Sequence, residues 1–196
     1  MNDLWKTNVG KHTIRIVRLK RDELAKSSVL VTGPTVRIYG TSPCDVQYQG
    51  EKRKMLDACA AVAEWASKLD ISTVGGPILS GALLAEGIAA HSERLLPFYI
   101  AKKPGYYRPY KHEAERVRGI FRGKYIIVDD IICTGNSMEI ALGYVKSYNG
   151  DDLEGLEAIL SFSGGFRVSV RSHPLLVKLT EEGKAFGLYC SKRRRS

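Results

Sequence analysis

Long apolar runs are missing from this chain of 196 residues, and no stretch reaches the length a bilayer-spanning helix needs. The opening Met1-Asn2-Asp3-Leu4-Trp5-Lys6 lacks the charged-then-apolar layout of a secretory signal. Both absences lead to the expectation of a cytoplasmic protein with no membrane partner. Cysteine is scarce: Cys44, Cys59, Cys133 and Cys190 stand far apart with no CxxC pair. That spacing argues against a zinc site and against a disulfide framework, and leaves reduced, mostly buried thiols. No internal repeat or low-complexity tract interrupts the chain. Acidic residues are in the minority, 21 against 30 basic ones, and the net charge of +9 calls for an anionic partner.

What is present describes an ordinary globular protein. Hydrophobic residues make up 44% and charged ones 26%, enough apolar material for one domain with a substantial interior. The basic excess gathers in two places. One is the tail Lys192-Arg193-Arg194-Arg195, which either touches nucleic acid or is simply solvated. The other runs from Lys102 to Arg122 among tyrosines, where a polyphosphate ligand or RNA would each account for it.

Periodicity divides the chain into alternating elements. The first fifty residues read as short strands and turns, with His12 to Leu19 alternating as a half-buried strand does, and Val29-Leu30-Val31 separated from Val36-Arg37-Ile38-Tyr39 by Thr32-Gly33-Pro34. From Lys52 to Leu69, Met55, Cys59, Val62, Ala66 and Leu69 recur at helical steps and share one face. A strand, Ile71 to Val74, then leads into Gly75-Gly76-Pro77, and a small-residue helix spans Gly81 to Ala90. Next come a strand from Leu96 to Ala101, a polar loop from Lys103 to about Gly119, and the strand Tyr125 to Val128. A helix follows Asn136 through Ile140, Leu142 and Val145, and one more strand covers Gly155 to Phe162. Strands alternating with helices predict an α/β fold, a central and largely parallel sheet flanked by helices.

One stretch carries chemistry. Tyr125-Ile126-Ile127-Val128 is continuously apolar, as a central strand covered on both faces must be. Asp129 and Asp130 follow at its carboxyl end, where open α/β sheets bind ligands. After Ile131-Ile132-Cys133, the small polar turn Thr134-Gly135-Asn136-Ser137 opens a helix, and exposed amides at a helix start cradle anions. Gly135 permits close backbone approach, while Thr134 and Ser137 offer hydroxyl donors. Two acids beside a phosphate cradle would repel a bare anion. They make sense if the acids accept hydrogen bonds from sugar hydroxyls while the cradle holds a phosphate one sugar-length away, as in a ribose 5-phosphate. A strand end with two solvated acids and a capped helix is the bland alternative.

The segment Val128 to Ser137 resembles the signature by which type I phosphoribosyltransferases bind 5-phosphoribosyl-1-pyrophosphate (PRPP). The resemblance implies a single domain over 1–196, with 1–50 as a cap or hood, a small cap at the C-terminus, and 51–165 as the PRPP-binding core. It implies that Asp129 and Asp130 hold the ribose 2′- and 3′-hydroxyls, and that Cys133, Thr134, Gly135, Asn136 and Ser137 hold the 5′-phosphate. Gly75-Gly76-Pro77-Ile78-Leu79-Ser80-Gly81 stands where the family carries its pyrophosphate loop, which makes Gly76 and Ser80 further ligand residues; a plain turn into a helix is the other reading. Ala82-Leu83 occupy the positions where a Walker loop needs Lys and Ser or Thr, so a nucleoside triphosphatase is excluded. Similarity to the orotate branch places Lys102 and Lys103 on the pyrophosphate, with Lys111 and His112 in a mobile catalytic loop. Lys103, Lys111, His112 and Asp130 are then the catalytic set. Such loops often cross between subunits, which implies a homodimer.

The implied reaction displaces pyrophosphate from PRPP by a nucleobase, with Mg2+ bridging pyrophosphate and ribose and contacting Asp129 and Asp130. The base is open. Cys133 replaces the acid of hypoxanthine-guanine enzymes, and Val31 replaces the lysine of an orotate-binding turn. A regulator that senses PRPP or a nucleotide without turnover and binds RNA or DNA is the competing function.

Overall fold

The fold is that of a computed structural model, which describes residues 4–19, 49–78, 80–101, 116–119, 122–130, 132, 135–150, 153–162 and 174–192. Among the described residues eight strands form one sheet: β1 Leu4–Val9, β2 His12–Arg18, β3 Thr73–Pro77, β4 Leu96–Ile100, β5 Val117–Gly119, β6 Tyr125–Asp129, β7 Leu156–Ser161 and β8 Ala185–Lys192. Their spatial order is β1-β2-β8-β7-β6-β3-β4-β5. The five strands from β8 across to β4 run parallel, and β1, β2 and β5 extend both edges antiparallel. The helices are α1 Gln49–Lys68, α2 Ser80–Ala89, α3 Asn136–Tyr148 and α4 Pro174–Glu181. The expected α/β class with a largely parallel, helix-flanked sheet is the architecture observed.

β6 shows why a central strand has no polar alternation. Tyr125, Ile126, Ile127 and Val128 are each 0% exposed. Ile126 and Val128 face the cluster built by α1 and α2, which includes Ala58, Val62, Leu84 and Ile88. Tyr125 and Ile127 face the opposite cluster, with Met138, Leu142 and Val145 of α3 and Leu176 of α4. Each fully buried aliphatic side chain contributes roughly 1.5–3 kcal/mol, so both faces of β6 anchor it and fix where its end emerges.

Several elements differ from their sequence expectation. The stretch expected as an N-terminal cap contributes β1 and β2 to the main sheet, because β2 pairs along its whole length with β8, from His12↔Lys192 to Arg18↔Phe186. Residues 20–48 of that stretch, with Val31, lie outside the described residues. Lys192 belongs to β8 and not to a free tail. The helix predicted to Leu69 ends at Lys68, where Asp70 turns the chain with φ 55°, and Leu69 is 38% exposed while Cys59, Val62 and Ala66 are buried. The long polar loop ends earlier than predicted, since Val117–Gly119 pairs with β4.

Gly75-Gly76-Pro77, expected to leave the sheet as a turn, is the second half of β3. A Cβ on Gly75 would lie 2.0 Å from the Phe98 ring, and one on Gly76 would lie 2.2 Å from the Gly81 backbone. These glycines therefore let a neighbouring ring and the start of α2 press directly onto the strand, a second reason for glycine inside strands.

Candidate active site

Three parallel strands end side by side along the carboxyl edge: β6 at Asp129, β3 at Pro77 and β4 at Ile100. Asp129 alternates onto the face of Tyr125 and Ile127, the face that α3 covers. It is only 2% exposed, and its Oδ1 accepts the Asp130 N–H at 3.0 Å. Its carbonyl accepts the Phe162 N–H at 3.0 Å, which locks the end of β6 to β7. Asp130 follows in a bend and is half-buried, so the pair divides into one nearly enclosed and one partly exposed residue.

The chain re-enters regular structure at Gly135, the N-cap of α3, with φ 85° and ψ −16°. That is the left-handed region, which glycine reaches at little cost. A glycine cap has no side-chain acceptor for the first-turn amides, while its carbonyl accepts the Glu139 N–H at 2.8 Å. The buried Ile132 precedes it, and Ser137 is half-buried in the first turn. The expected strand, acids, glycine and helix thus occur in the expected order, with Asp129 on the side of the sheet where α3 begins.

The start of α2 adjoins this place. A Cβ built on Gly81 would lie 2.5 Å from the Val128 carbonyl oxygen and 2.6 Å from Pro77 Cδ. Close helix–strand packing therefore brings Ser80 and Gly81 beside the end of β6. Gly76 sits beneath that contact, and its missing side chain serves packing against Gly81. Next to it, the Ala101 N–H bonds the Arg116 carbonyl at 2.8 Å. The two ends of the segment 102–115 are thus pinned together at the same edge. Arg116 then lies over the Tyr144 ring of α3 at 4.6 Å.

Of the residues singled out from sequence, Asp129, Asp130, Gly135, Ser137, Gly76 and Ser80 are brought to one edge of the sheet; Asn136 begins α3 there by its backbone. Cys133, Thr134, Lys102, Lys103, Lys111 and His112 lie outside the described residues. Sequence reasoning missed the buried Ser161, which pairs with Asp129 in register, and its only sequence signal was its place at the end of β7. It also missed a buried pair three strands away: His12 Nδ1 and Asp57 Oδ2 are 2.7 Å apart, with Arg53 Nε 3.3 Å from the other carboxylate oxygen. Among the described residues no group of three or more His, Cys, Asp or Glu is placed to hold a metal, and none of the described helices is long and apolar enough to cross a membrane.

No family model and no curated protein matches the chain. Solved phosphoribosyltransferases are similar to it. Against orotate phosphoribosyltransferase of Mycobacterium tuberculosis in complex with PRPP, the match has 19% identity and a TM-score of 0.42 over 71% of this chain and 90% of that one. In the Fe(III) dicitrate complex of the same enzyme the match spans 64% of that chain and 57% of this one, with 21% identity and a TM-score of 0.41. Orotate phosphoribosyltransferase of Aeropyrum pernix matches at 16% identity and a TM-score of 0.48, covering 71% of each chain. An adenine phosphoribosyltransferase matches at 20% identity and a TM-score of 0.45, over 72% of this chain and 81% of that one.

Proposed function

We propose that the chain is a phosphoribosyltransferase that binds PRPP at the β6–α3 junction and transfers its phosphoribosyl group to a nucleobase, releasing pyrophosphate. One observation carries the reading: a fully buried strand delivers Asp129 and Asp130 to the carboxyl edge immediately before a helix whose cap is a left-handed glycine. The carboxylates accept hydrogen bonds from the ribose 2′- and 3′-hydroxyls, and the amides from Gly135 to Ser137 point their partial positive charge at the 5′-phosphate.

Magnesium fits the donors at this edge. Asp130 is half-buried and adjacent to Asp129, and magnesium favours one or two carboxylates plus substrate oxygens over a full protein cage. When bound, the ion neutralises charge on the leaving pyrophosphate. The chain's own residues do the rest. Lys102 and Lys103, which follow Ala101 in the sequence, would add positive charge where the pyrophosphate departs. Lys111 and His112, which stand in the sequence segment between Ala101 and Arg116, are assigned the catalytic role in this reading. A homodimer would complete the site if that segment crosses to a partner subunit.

The test is direct. Purified protein with PRPP and magnesium is given each common nucleobase in turn, and pyrophosphate release is measured. Turnover with one base establishes both class and acceptor. The net charge of +9 favours a second reading, a PRPP-sensing regulator that binds RNA or DNA. It would show PRPP binding without turnover, together with nucleic-acid affinity that falls steeply with salt.

A further inference from the structure

The opposite, amino edge of the sheet holds a cavity of about 430 Å3 that the proposed reaction does not use. Its size falls in the range of small-molecule sites, roughly 300–1,000 Å3. Trp5 and Trp65, the only two tryptophans in the chain, both line it, together with Phe186. Trp65 stands edge-on to Phe186 at 5.1 Å, and the Arg18 guanidinium lies 5.8 Å from the Phe186 ring centre. Leu69, 38% exposed, adds an apolar margin. Planar aromatic and guanidinium surfaces of this kind stack flat heterocycles.

The polar lining decides which heterocycle. Glu157 and Glu182 both face the cavity. Each is engaged through Oε1 by a lysine at 3.7 Å, Lys124 for Glu157 and Lys178 for Glu182. Those contacts leave the second carboxylate oxygen of each to accept from elsewhere. The α1 and α4 helices also both end at this edge, at Lys68 and Glu181. Their last carbonyls are engaged within the fold, Ala66 O by the Ile71 N–H and Leu179 O by the Lys184 N–H. Arg18 and Lys184 balance the two acids in the lining, so it is the glutamate carboxylates that would accept N–H donors from a ligand.

We propose that this cavity binds a nucleobase with a guanine-type edge, its ring stacked against Trp5 and Arg18 and its ring N–H and amino group donating to a glutamate carboxylate. The site is separate from the β6–α3 junction and stands whether or not PRPP is the substrate there. A free base or nucleoside and a guanine within single-stranded RNA share this chemistry.

The experiment uses the full chain carrying Asp129→Asn and Asp130→Asn, so that binding at the other edge cannot contribute. Guanosine is titrated in while tryptophan emission is followed, since both reporters sit in the cavity. Saturable quenching is expected. Inosine, which lacks the amino donor, should bind about tenfold more weakly, the usual loss for one hydrogen bond to a charged group. Glu157→Gln with Glu182→Gln should erase that preference, Trp5→Ala should weaken guanosine binding, and Trp5→Phe should restore most of it. An oligouridylate with one central guanine that binds more tightly than guanosine assigns the base to an RNA strand; equal or weaker binding assigns it to a free nucleoside. Absence of saturable quenching, or equal affinity for guanosine and inosine, overturns the proposal.

Discussion

Replacing glycine by alanine at two helical positions should move stability in opposite directions. Gly81 and Gly143 both lie within helices, α2 and α3. Alanine is favoured over glycine in a helix by about 1 kcal/mol, so propensity alone predicts a gain at both. At Gly143 nothing lies within 4 Å of the new Cβ, and the gain should appear in full. At Gly81 the Cβ would sit 2.5 Å from the Val128 carbonyl oxygen and 2.6 Å from Pro77 Cδ. Those neighbours belong to buried strands, which cannot swing aside as a flexible side chain would. Overpacking of this kind costs about 1–3 kcal/mol, which set against the helix gain of about 1 kcal/mol leaves a net loss of up to about 2 kcal/mol. For a protein of this size each kcal/mol moves the melting temperature by about 2–4 °C. Gly143→Ala should therefore melt above the parent by about 2–4 °C, and Gly81→Ala below it by up to about 8 °C. Because α2 would be levered away from the end of β6, Gly81→Ala should also weaken PRPP binding, read by calorimetry, while Gly143→Ala should not. Equal melting temperatures for the two variants would refute the claim that α2 is seated directly on β3 and β6.

Two further predictions concern groups away from that contact. Burial pushes the Cys59 thiol up to about 12, so at pH 8 only about one molecule in ten thousand carries the reactive thiolate; iodoacetamide should leave Cys59 unlabelled in the native protein and label it after denaturation, as read by peptide mass spectrometry. His12→Ala leaves Asp57, 4% exposed, facing the largely exposed Arg53 at 3.3 Å; the broken buried pair should cost about 3 kcal/mol, seen as a lower urea midpoint with an unchanged slope.

The parts of this architecture that were legible in the sequence are those set by local pattern. β6 was visible because burial on both faces demands four apolar residues in a row, and α1 because its buried face repeats at helical spacing. The acids and the glycine-led turn were visible as a local order of residues, which falls at the end of β6 and the cap of α3. What stayed hidden depends on distant partners. Ala185-Phe186-Gly187-Leu188-Tyr189-Cys190 has no clean alternation, and it becomes a strand because β7 and β2 flank it. Gly75-Gly76-Pro77 carries the composition of a turn, yet it is strand because Phe98 and Gly81 occupy the space where side chains would stand. No local rule separates a glycine needed for φ from a glycine needed for contact. Leu69 fits the apolar period of α1 and still faces the amino-edge cavity, because the helix stops one residue before it.

The two acids at the end of β6 should separate when altered singly, because the structure gives them different second duties. Asp129 is nearly enclosed and its Oδ1 accepts the Asp130 N–H at 3.0 Å. Asn at 129 keeps an oxygen in that position, so the fold should hold; Ala removes the acceptor and should cost about 1–2 kcal/mol. Asp130 is half-buried, and Asn, of nearly the same shape, should shift the melting temperature there by no more than a few degrees. Ligand affinity should follow a different order. A hydroxyl hydrogen-bonded to a carboxylate contributes about 1.5–3 kcal/mol, so Asp129→Asn and Asp130→Asn should each weaken PRPP at least about tenfold. The double variant should bind none at accessible concentrations while melting within a few degrees of the parent. Stability and affinity thus respond to different members of the pair, which a merely structural strand end would not produce. If Asp130→Asn binds PRPP like the parent, the Asp130 carboxylate is not on the ribose, and the site reduces to the α3 turn gripping a phosphate alone.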